Sequence, residues 1–211
     1  MISPQVKPGQ QQTAPVIGVV TDAFSNPYTL TLLNEVTCQL NQRGASALLL
    51  NVETEANCQA VLQRAGQLPV DALLFLTNAL CDEQRAAIEA RYPVPAIQVC
   101  RSPDSEGVNA IGVEDFAAGA EIGRLLLSQG YQRFGYMQGQ ETSASPQQRQ
   151  AGYASSLQAA HKMLNTVLVA GRYDRQMAYQ AMMTYLKTTW ASERIDALFC
   201  ENDVLAFGAM Q

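Results

Sequence analysis

Several patterns that mark common protein classes are absent from this chain of 211 residues. No Gly-x-Gly-x-x-Gly run follows the first predicted strand and no Walker loop occurs, which disfavours dinucleotide binding and a phosphate-cradling loop. The five cysteines are widely spaced without a Cys-x-x-Cys pair, so a zinc site or a disulfide framework is not expected and a cytoplasmic location is. The single histidine, His161, has no nucleophile in triad order, and we expect no enzyme and no cofactor.

Positive charge is also scarce. The chain has 14 Lys and Arg against 19 Asp and Glu, a net charge of −5, and its basic residues do not cluster. A domain that binds nucleic acid unaided needs a basic surface, so another segment would have to make that contact. Residues 1–14 contain no apolar run, which disfavours a signal peptide or a membrane anchor and predicts a flexible leader.

The chain has an alternating pattern of strands and helices after residue 15. With 47% hydrophobic residues it can bury a sizeable core. Short apolar runs, typical of strands buried on both faces, alternate with segments of helical periodicity. The predicted strands are 16–20, 47–50, 72–76, 96–99, 110–113, 134–137, 167–169 and 197–200, and the predicted helices are 28–43, one ending near 67, 82–91, 115–129, 146–161, 174–189 and one starting near 202.

This pattern predicts an α/β protein with two Rossmann-like lobes of parallel sheet, at residues 15–113 and 114–211. The second lobe has only three strongly predicted strands and the sequence ends within its last helix. We therefore expect that lobe to be incomplete.

Polar clusters follow three of the predicted strands. They are Ser25-Asn26-Pro27-Tyr28, the stretch from Arg149 to Tyr153, and Glu201-Asn202-Asp203. Ligands of open α/β sheets bind at the carboxyl ends of strands, so we expect one pocket for a small polar molecule. The candidate ligand-binding residues are Arg149, Asn202, Tyr28, Asn26, Asp22, Asn78, Thr77, Arg101, Tyr173 and Asp203.

The strongest of these candidates have simpler alternatives. Arg149 presents a rigid fork of donors suited to hydroxyls, carboxylates or purine acceptors, but it could instead form a surface ion pair. Asn202 could cap the last helix as well as contact a ligand. Tyr28 could offer an aromatic platform across the cleft from Arg149, whereas Trp190 and His161 are expected to be a packing residue and a surface residue.

The order and spacing of short motifs resemble the effector-binding core of the lactose/galactose repressor family of bacterial transcription regulators. The resemblance covers residues 15–211 and implies a periplasmic-binding-protein-like fold, a small-molecule effector and a homodimer. It also implies that operator DNA is bound only through a helix-turn-helix that this sequence does not contain. The matching motifs are Ile17-Gly18-Val19-Val20-Thr21-Asp22, Ser25-Asn26-Pro27-Tyr28, Val70-Asp71-Ala72-Leu73-Leu74-Phe75, Ile111-Gly112-Val113-Glu114-Asp115, Gly130-Tyr131-Gln132-Arg133-Phe134-Gly135-Tyr136, Arg149-x-x-Gly152-Tyr153 and Asn202-Asp203-x-x-Ala206-x-Gly208-Ala209.

The sequence departs from the family pattern at Glu114-Asp115, Cys100-Arg101 and Gly130-Tyr131, which leaves the identity of the ligand open. The solute-binding protein of a sugar transporter, which shares the fold, is the alternative. It would require export, and the lack of an apolar leader disfavours it.

Overall fold

The computed structural model of the chain describes residues 14–22, 27–64, 67–77, 80, 82–99, 109–139 and 144–211. The chain divides into two compact units, Met1–Ile97 and Gln98–Gln211. The lobe boundary predicted at residues 113 and 114 remains a prediction.

Strands and helices alternate along both units. The first half contains β1 (Val16–Thr21), α1 (Pro27–Gln42), β2 (Ser46–Asn51), α2 (Glu55–Arg64), β3 (Ala72–Phe75), α3 (Asp82–Arg91) and β4 (Ala96–Val99). The second contains β5 (Ala110–Ile111), α4 (Asp115–Ser128), β6 (Phe134–Gln138), α5 (Ala144–Ala159), β7 (Leu164–Val169), α6 (Arg175–Thr188), β8 (Ala197–Cys200) and α7 (Asp203–Ala209).

The described strands form two sheets, with the orders β2-β1-β3-β4-β5 and β7-β6-β8. The pairs β1–β2, β1–β3, β4–β5, β6–β7 and β6–β8 are all parallel. In both sheets a central strand lies between partners that come later in sequence, which is the arrangement that helical crossovers produce. The predicted α/β fold with parallel sheets is confirmed.

The apolar runs of the first unit form its core. Val20 of the central strand β1 is fully buried, and Leu73 and Phe75 of β3 are almost so. They pack with Leu50 and Ile88 in one cluster. A strand covered on both faces cannot alternate apolar with polar residues, which explains the unbroken Val16–Val20 run.

The second sheet is covered on both faces by helices. Successive side chains of a strand point to opposite faces, and β6 shows this directly. Tyr136 packs with Tyr153 of α5, whereas Met137 packs in a separate cluster with Ala178 of α6 and Leu205 of α7. Helices α4 and α5 therefore lie on one face and α6 and α7 on the other.

Glycines allow α4 and α5 to approach backbone to backbone. A Cβ placed on Gly119 would lie 1.9 Å from the carbonyl oxygen of Arg149, and one on Gly152 would lie 1.9 Å from that of Phe116. Both contacts are with main chain, which cannot rotate away. This contact holds the start of α4 against the first half of α5.

Most predicted boundaries agree with the structure to within two residues, and the chief difference is β7. It begins at Leu164, three residues before the predicted start, and its exposure alternates as expected for an edge strand. Its apolar run is therefore short. The predicted helix stops at Gly44 and Gly130 are confirmed, since both have a positive φ (71° and 88°) that favours glycine.

Among the described residues, no helix combines the length and the hydrophobicity needed to cross a bilayer.

Replacing Gly152 with alanine should destabilise the protein by about 2–3 kcal/mol, because the new methyl group collides with the backbone of α4. Alanine is the better helix former by about 1 kcal/mol, so a loss of stability would have to come from the collision. Urea unfolding followed by circular dichroism measures the change. The control is Ser155→Ala on an exposed position of the same helix, which should stay within about 0.5 kcal/mol of the parent. Equal midpoints for the Gly152 variant and the parent would contradict the close contact.

Candidate functional site

An ion pair joins the first residue of α4 to the side chain of Arg149 on α5. Nη1 of Arg149 donates to Oδ1 of Asp115 at 2.6 Å. The Asp115 side chain is only 4% exposed and that of Arg149 is 27% exposed. A carboxylate this well buried needs a partner, and the close contact of the two helices supplies one. Arg149 therefore does form an ion pair, but a largely buried one rather than the surface pair considered as its alternative.

The same guanidinium reaches the carboxyl end of β8. Nη2 of Arg149 donates to the backbone carbonyl of Glu201 at 3.3 Å, directly after the strand. Its Nε is buried and has no hydrogen-bond partner within the described part of the chain. An arginine held by two of its nitrogens is preorganised, and the fixed fork is suited to recognising one ligand orientation.

Gly139, Glu201 and Tyr173 meet beside this arginine. The backbone N–H of Gly139, just after β6, donates to Oε2 of the buried Glu201 side chain. A Cβ on Gly139 would lie 2.4 Å from Cε1 of Tyr173 and 2.9 Å from Oε2 of Glu201. A larger residue at this position would force the ring or the carboxylate to move.

The pKa of Tyr136 depends on its burial and on the charges of Glu201 and Arg149. Burial raises the pKa of its phenol well above the usual range, the Glu201 carboxylate raises the pKa further, and Arg149 opposes them. Its hydroxyl lies 3.4 Å from the carbonyl oxygen of Pro146, to which it donates. The phenol is therefore protonated at neutral pH and acts as a donor.

Asn202 and Asp203 begin α7. The side chain of Asn202 accepts from the backbone N–H of Leu205 at 3.0 Å, which confirms the expected N-cap. Asp203, in the first helical turn, is exposed. Of the candidates in the second unit, Arg149, Tyr173 and Asn202 thus lie at the carboxyl ends of β6 and β8.

The first unit also carries candidates at strand ends. Asp22 follows β1 and Thr77 follows β3. Val20 pairs with Phe75 in these two parallel strands, so two residues further on Asp22 and Thr77 occupy matching positions. Thr77 is buried, whereas Tyr28 at the start of α1 is 64% exposed. Asn26, Asn78 and Arg101 lie outside the described residues, and the ligand roles of all the candidates remain predictions.

The sequence analysis did not select three residues of the candidate site, Asp115, Gly139 and Glu201. Asp115 and Glu201 appear there only as parts of motifs. Their signal was present in the sequence, because each carries an acidic side chain at the junction of a strand and a helix. What the sequence could not show is that both carboxylates are buried, at 4% and 5% exposure.

The two residues set aside by the sequence analysis lie as expected, one at the surface and the other packed against a neighbouring ring. His161 is exposed and has a φ of 56° just after α5. The Trp190 ring packs edge-on against Tyr185, with ring centroids 5.9 Å apart. Among the described residues, no group of three or more His, Cys, Asp or Glu side chains is arranged to hold a metal ion.

Comparison with known proteins identifies related chains. A curated relative, the HTH-type transcriptional repressor PurR of Mannheimia succiniciproducens, is 24% identical over 200 residues, which are 94% of this chain and 59% of that protein. A PurR of Escherichia coli is 24% identical over 197 residues, 92% of this chain and 57% of that protein. The chain thus spans about three fifths of the length of these transcriptional repressors.

Solved structures of regulators have the same fold. The transcription regulator GntR of Chromobacterium violaceum is 26% identical with a TM-score of 0.79, covering 92% of this chain and 71% of that one. The Lac repressor bound to ONPG is 24% identical with a TM-score of 0.81, and the match covers 96% of this chain and 60% of that one.

A family model described as periplasmic binding proteins and the sugar binding domain of the LacI family matches residues 14–211. This match takes in the strand ends that hold Arg149, Glu201 and Tyr173. The chain belongs to this family, as the resemblance of its motifs indicated.

Proposed function

We propose that this chain is the effector-binding domain of a LacI-type transcriptional regulator and that it senses a small polar metabolite. The family match and the repressor relatives support the class of protein. The proposed site lies at the carboxyl ends of β6 and β8, which is where open parallel sheets bind ligands.

The single observation that carries the proposal is the placement of the Arg149 guanidinium. It is held by Asp115 and by the backbone of Glu201, with a buried Nε beside them. An arginine that served only to neutralise Asp115 would need one of these contacts. The additional donors, together with the Tyr173 ring next to them, are suited to a small molecule with oxygen or nitrogen acceptors and a flat face.

The whole regulator would couple this site to DNA. The relatives are named HTH-type repressors, and a helix-turn-helix outside this sequence would contact the operator in the cytoplasm. An effector shifts such a regulator only if it binds its two states with different affinity. The transporter alternative is less well supported, because the curated relatives are repressors.

Arg149→Lys should weaken binding of the effector by about 2 kcal/mol, roughly thirtyfold, because an ammonium keeps the charge opposite Asp115 but loses the fork. The effector is first found by calorimetry with ribose, cellobiose, nucleosides and small organic acids, since ribose and cellobiose are bound by structures of this fold. The same calorimetry then compares parent and variant.

The control for this experiment is Arg124→Lys, at an exposed position of α4. It makes the same chemical change away from the site and should leave both affinity and melting temperature unchanged. Full affinity in the Arg149→Lys variant would show that Arg149 does not contact the effector. Arg149→Ala is less informative, because it leaves Asp115 buried without its cation and endangers the fold.

This chain alone should not bind random duplex DNA with submicromolar affinity at physiological salt. Its net charge of −5 and dispersed basic residues cannot release the counterions that drive non-specific binding. Fluorescence anisotropy of a labelled duplex, titrated at two salt concentrations, measures this. Submicromolar binding that weakens steeply with salt would contradict the assignment of DNA contact to another segment.

We further propose that the chain forms a homodimer through apolar residues of α6 and α7. These helices pack tightly, since a Cβ on Gly208 would lie 2.3 Å from the carbonyl oxygen of Arg175. Phe207 is 60% exposed and Met177 is 41% exposed on the two helices. Large apolar side chains at high exposure are typical of a surface that a second subunit covers.

Sedimentation equilibrium should show a dimer at micromolar concentration, and Phe207→Arg should convert it to a monomer with unchanged circular dichroism. A buried, unpaired guanidinium would oppose association by several kcal/mol. Gln158→Arg, at an exposed polar position of α5, is the control and should remain dimeric. A monomeric parent, or loss of the dimer in the control, would contradict this interface.

A further inference from the structure

A surface hollow lies at the amino ends of β6, β7 and β8, whereas the proposed effector site lies at the carboxyl ends of strands in the same sheet. The volume of the hollow is about 570 Å³. Its lining comes from the residue before β6, from the start of β7 and from the loop that leads into β8. We call it the basal hollow, and the lining residues that bear on binding are Arg133, Met163, Trp190, Glu193 and Arg194.

Arg194 is held in the basal hollow without the use of its N–H groups. Its guanidinium carbon lies 5.0 Å from the centroid of the Trp190 ring, within the range of a cation–π contact. Such a contact consumes no hydrogen-bond donor. Within the described part of the chain, no side chain or carbonyl accepts a hydrogen bond from this guanidinium. Its donors are therefore available to an occupant of the hollow.

Arg133 also has donors to spare. Its Nε lies 3.8 Å from Oδ2 of Asp196, which is an ion pair but not a hydrogen bond. The oxygens of Asp196 already accept from the backbone N–H groups of Gln132 and Arg133, the latter at 2.8 Å. Among the described residues, neither Nη atom of Arg133 has a hydrogen-bond acceptor.

Unused donors, rather than a large net charge, distinguish this hollow. Its lining carries two guanidinium groups and one carboxylate, that of Glu193. The neighbours Lys162 and Asp196 bring the balance to three cations against two carboxylates. A guanidinium presents a fork of N–H groups that matches the oxygens of a carboxylate or a phosphate. We propose that the basal hollow binds the oxyanion group of a second small molecule, distinct from the effector.

The apolar side of the hollow indicates what carries the oxyanion. Met163 is 69% exposed, and the Trp190 ring is half-buried in the same lining. A thioether and an indole ring both pack favourably against aromatic and apolar groups. A bare inorganic ion would leave this surface uncovered. The ligand class is therefore a carboxylate or a phosphate ester with an apolar body.

Trp190 is the single tryptophan of the chain, so its fluorescence reports on the basal hollow. The protein is titrated with phenyl phosphate, benzoate, inorganic phosphate and the neutral analogue benzyl alcohol, with excitation where these probes do not absorb, and calorimetry checks the affinities. The parent is compared with Arg133→Gln and Arg194→Gln. Arg124→Gln, which removes the same charge at an exposed position of α4, is the matched control.

Phenyl phosphate or benzoate should saturate the signal of the parent and of the Arg124 control at millimolar concentration, and more tightly than inorganic phosphate or benzyl alcohol. The better of the two identifies a phosphate ester or a carboxylate. Arg133→Gln and Arg194→Gln should each weaken that binding at least about fivefold, which is the loss of one hydrogen-bonding group, and should keep the circular dichroism spectrum of the parent.

Three results would overturn the inference. The first is that neither aromatic anion binds the folded parent. The second is that benzyl alcohol binds as tightly as the anions. The third is that the Arg133 and Arg194 variants keep full affinity, and if Arg149→Lys loses it instead, the anion binds at the effector site. None of these results bears on the proposed effector-binding function, because that function depends on the opposite strand ends.

Discussion

The approach of α4 to α5 is the constraint on which the second unit depends. Gly119 and Gly152 let the two backbones touch, and at that separation Arg149 reaches Asp115. The pair is costly to form, because a carboxylate has to leave water, and it is worth forming only if the partner is fixed in place. The close packing that the glycines allow and the ion pair therefore act together. They hold a guanidinium at the end of β8 without relying on a ligand to order it.

A second set of contacts, around Gly139, orders the other side of the same strand end. Gly139 lacks the Cβ that would collide with Tyr173, and its N–H is occupied by Glu201. Rigid groups aimed at a strand end lose little entropy when a ligand arrives, so such a site binds more tightly than the same residues on mobile segments.

The fold could be predicted from the sequence because its signals are local. The Val16–Val20 run, the glycine stops at Gly44 and Gly130 and the Asn202 cap each depend on neighbours within a few residues. The site could be predicted only in part. Arg149 was selected for its chemistry, but its partner Asp115 is 34 positions away, and nothing in the spacing shows that two glycines bring them together. Burial is a property of the assembled unit, which is why Glu201 was missed as a site residue.

Arg149 and Asn202 lie at strand ends, where we propose that the ligand binds, but they do not by themselves determine what binds. What binds depends also on the groups around them, and one of these is Glu201, at whose position an uncharged acceptor could also receive the Gly139 N–H. A carboxylate buried at a place where a neutral group would suffice costs desolvation energy. The burial of Asp115 and Glu201 is therefore offset in part by hydrogen bonds from groups held in place, Arg149 for the first and the Gly139 N–H for the second.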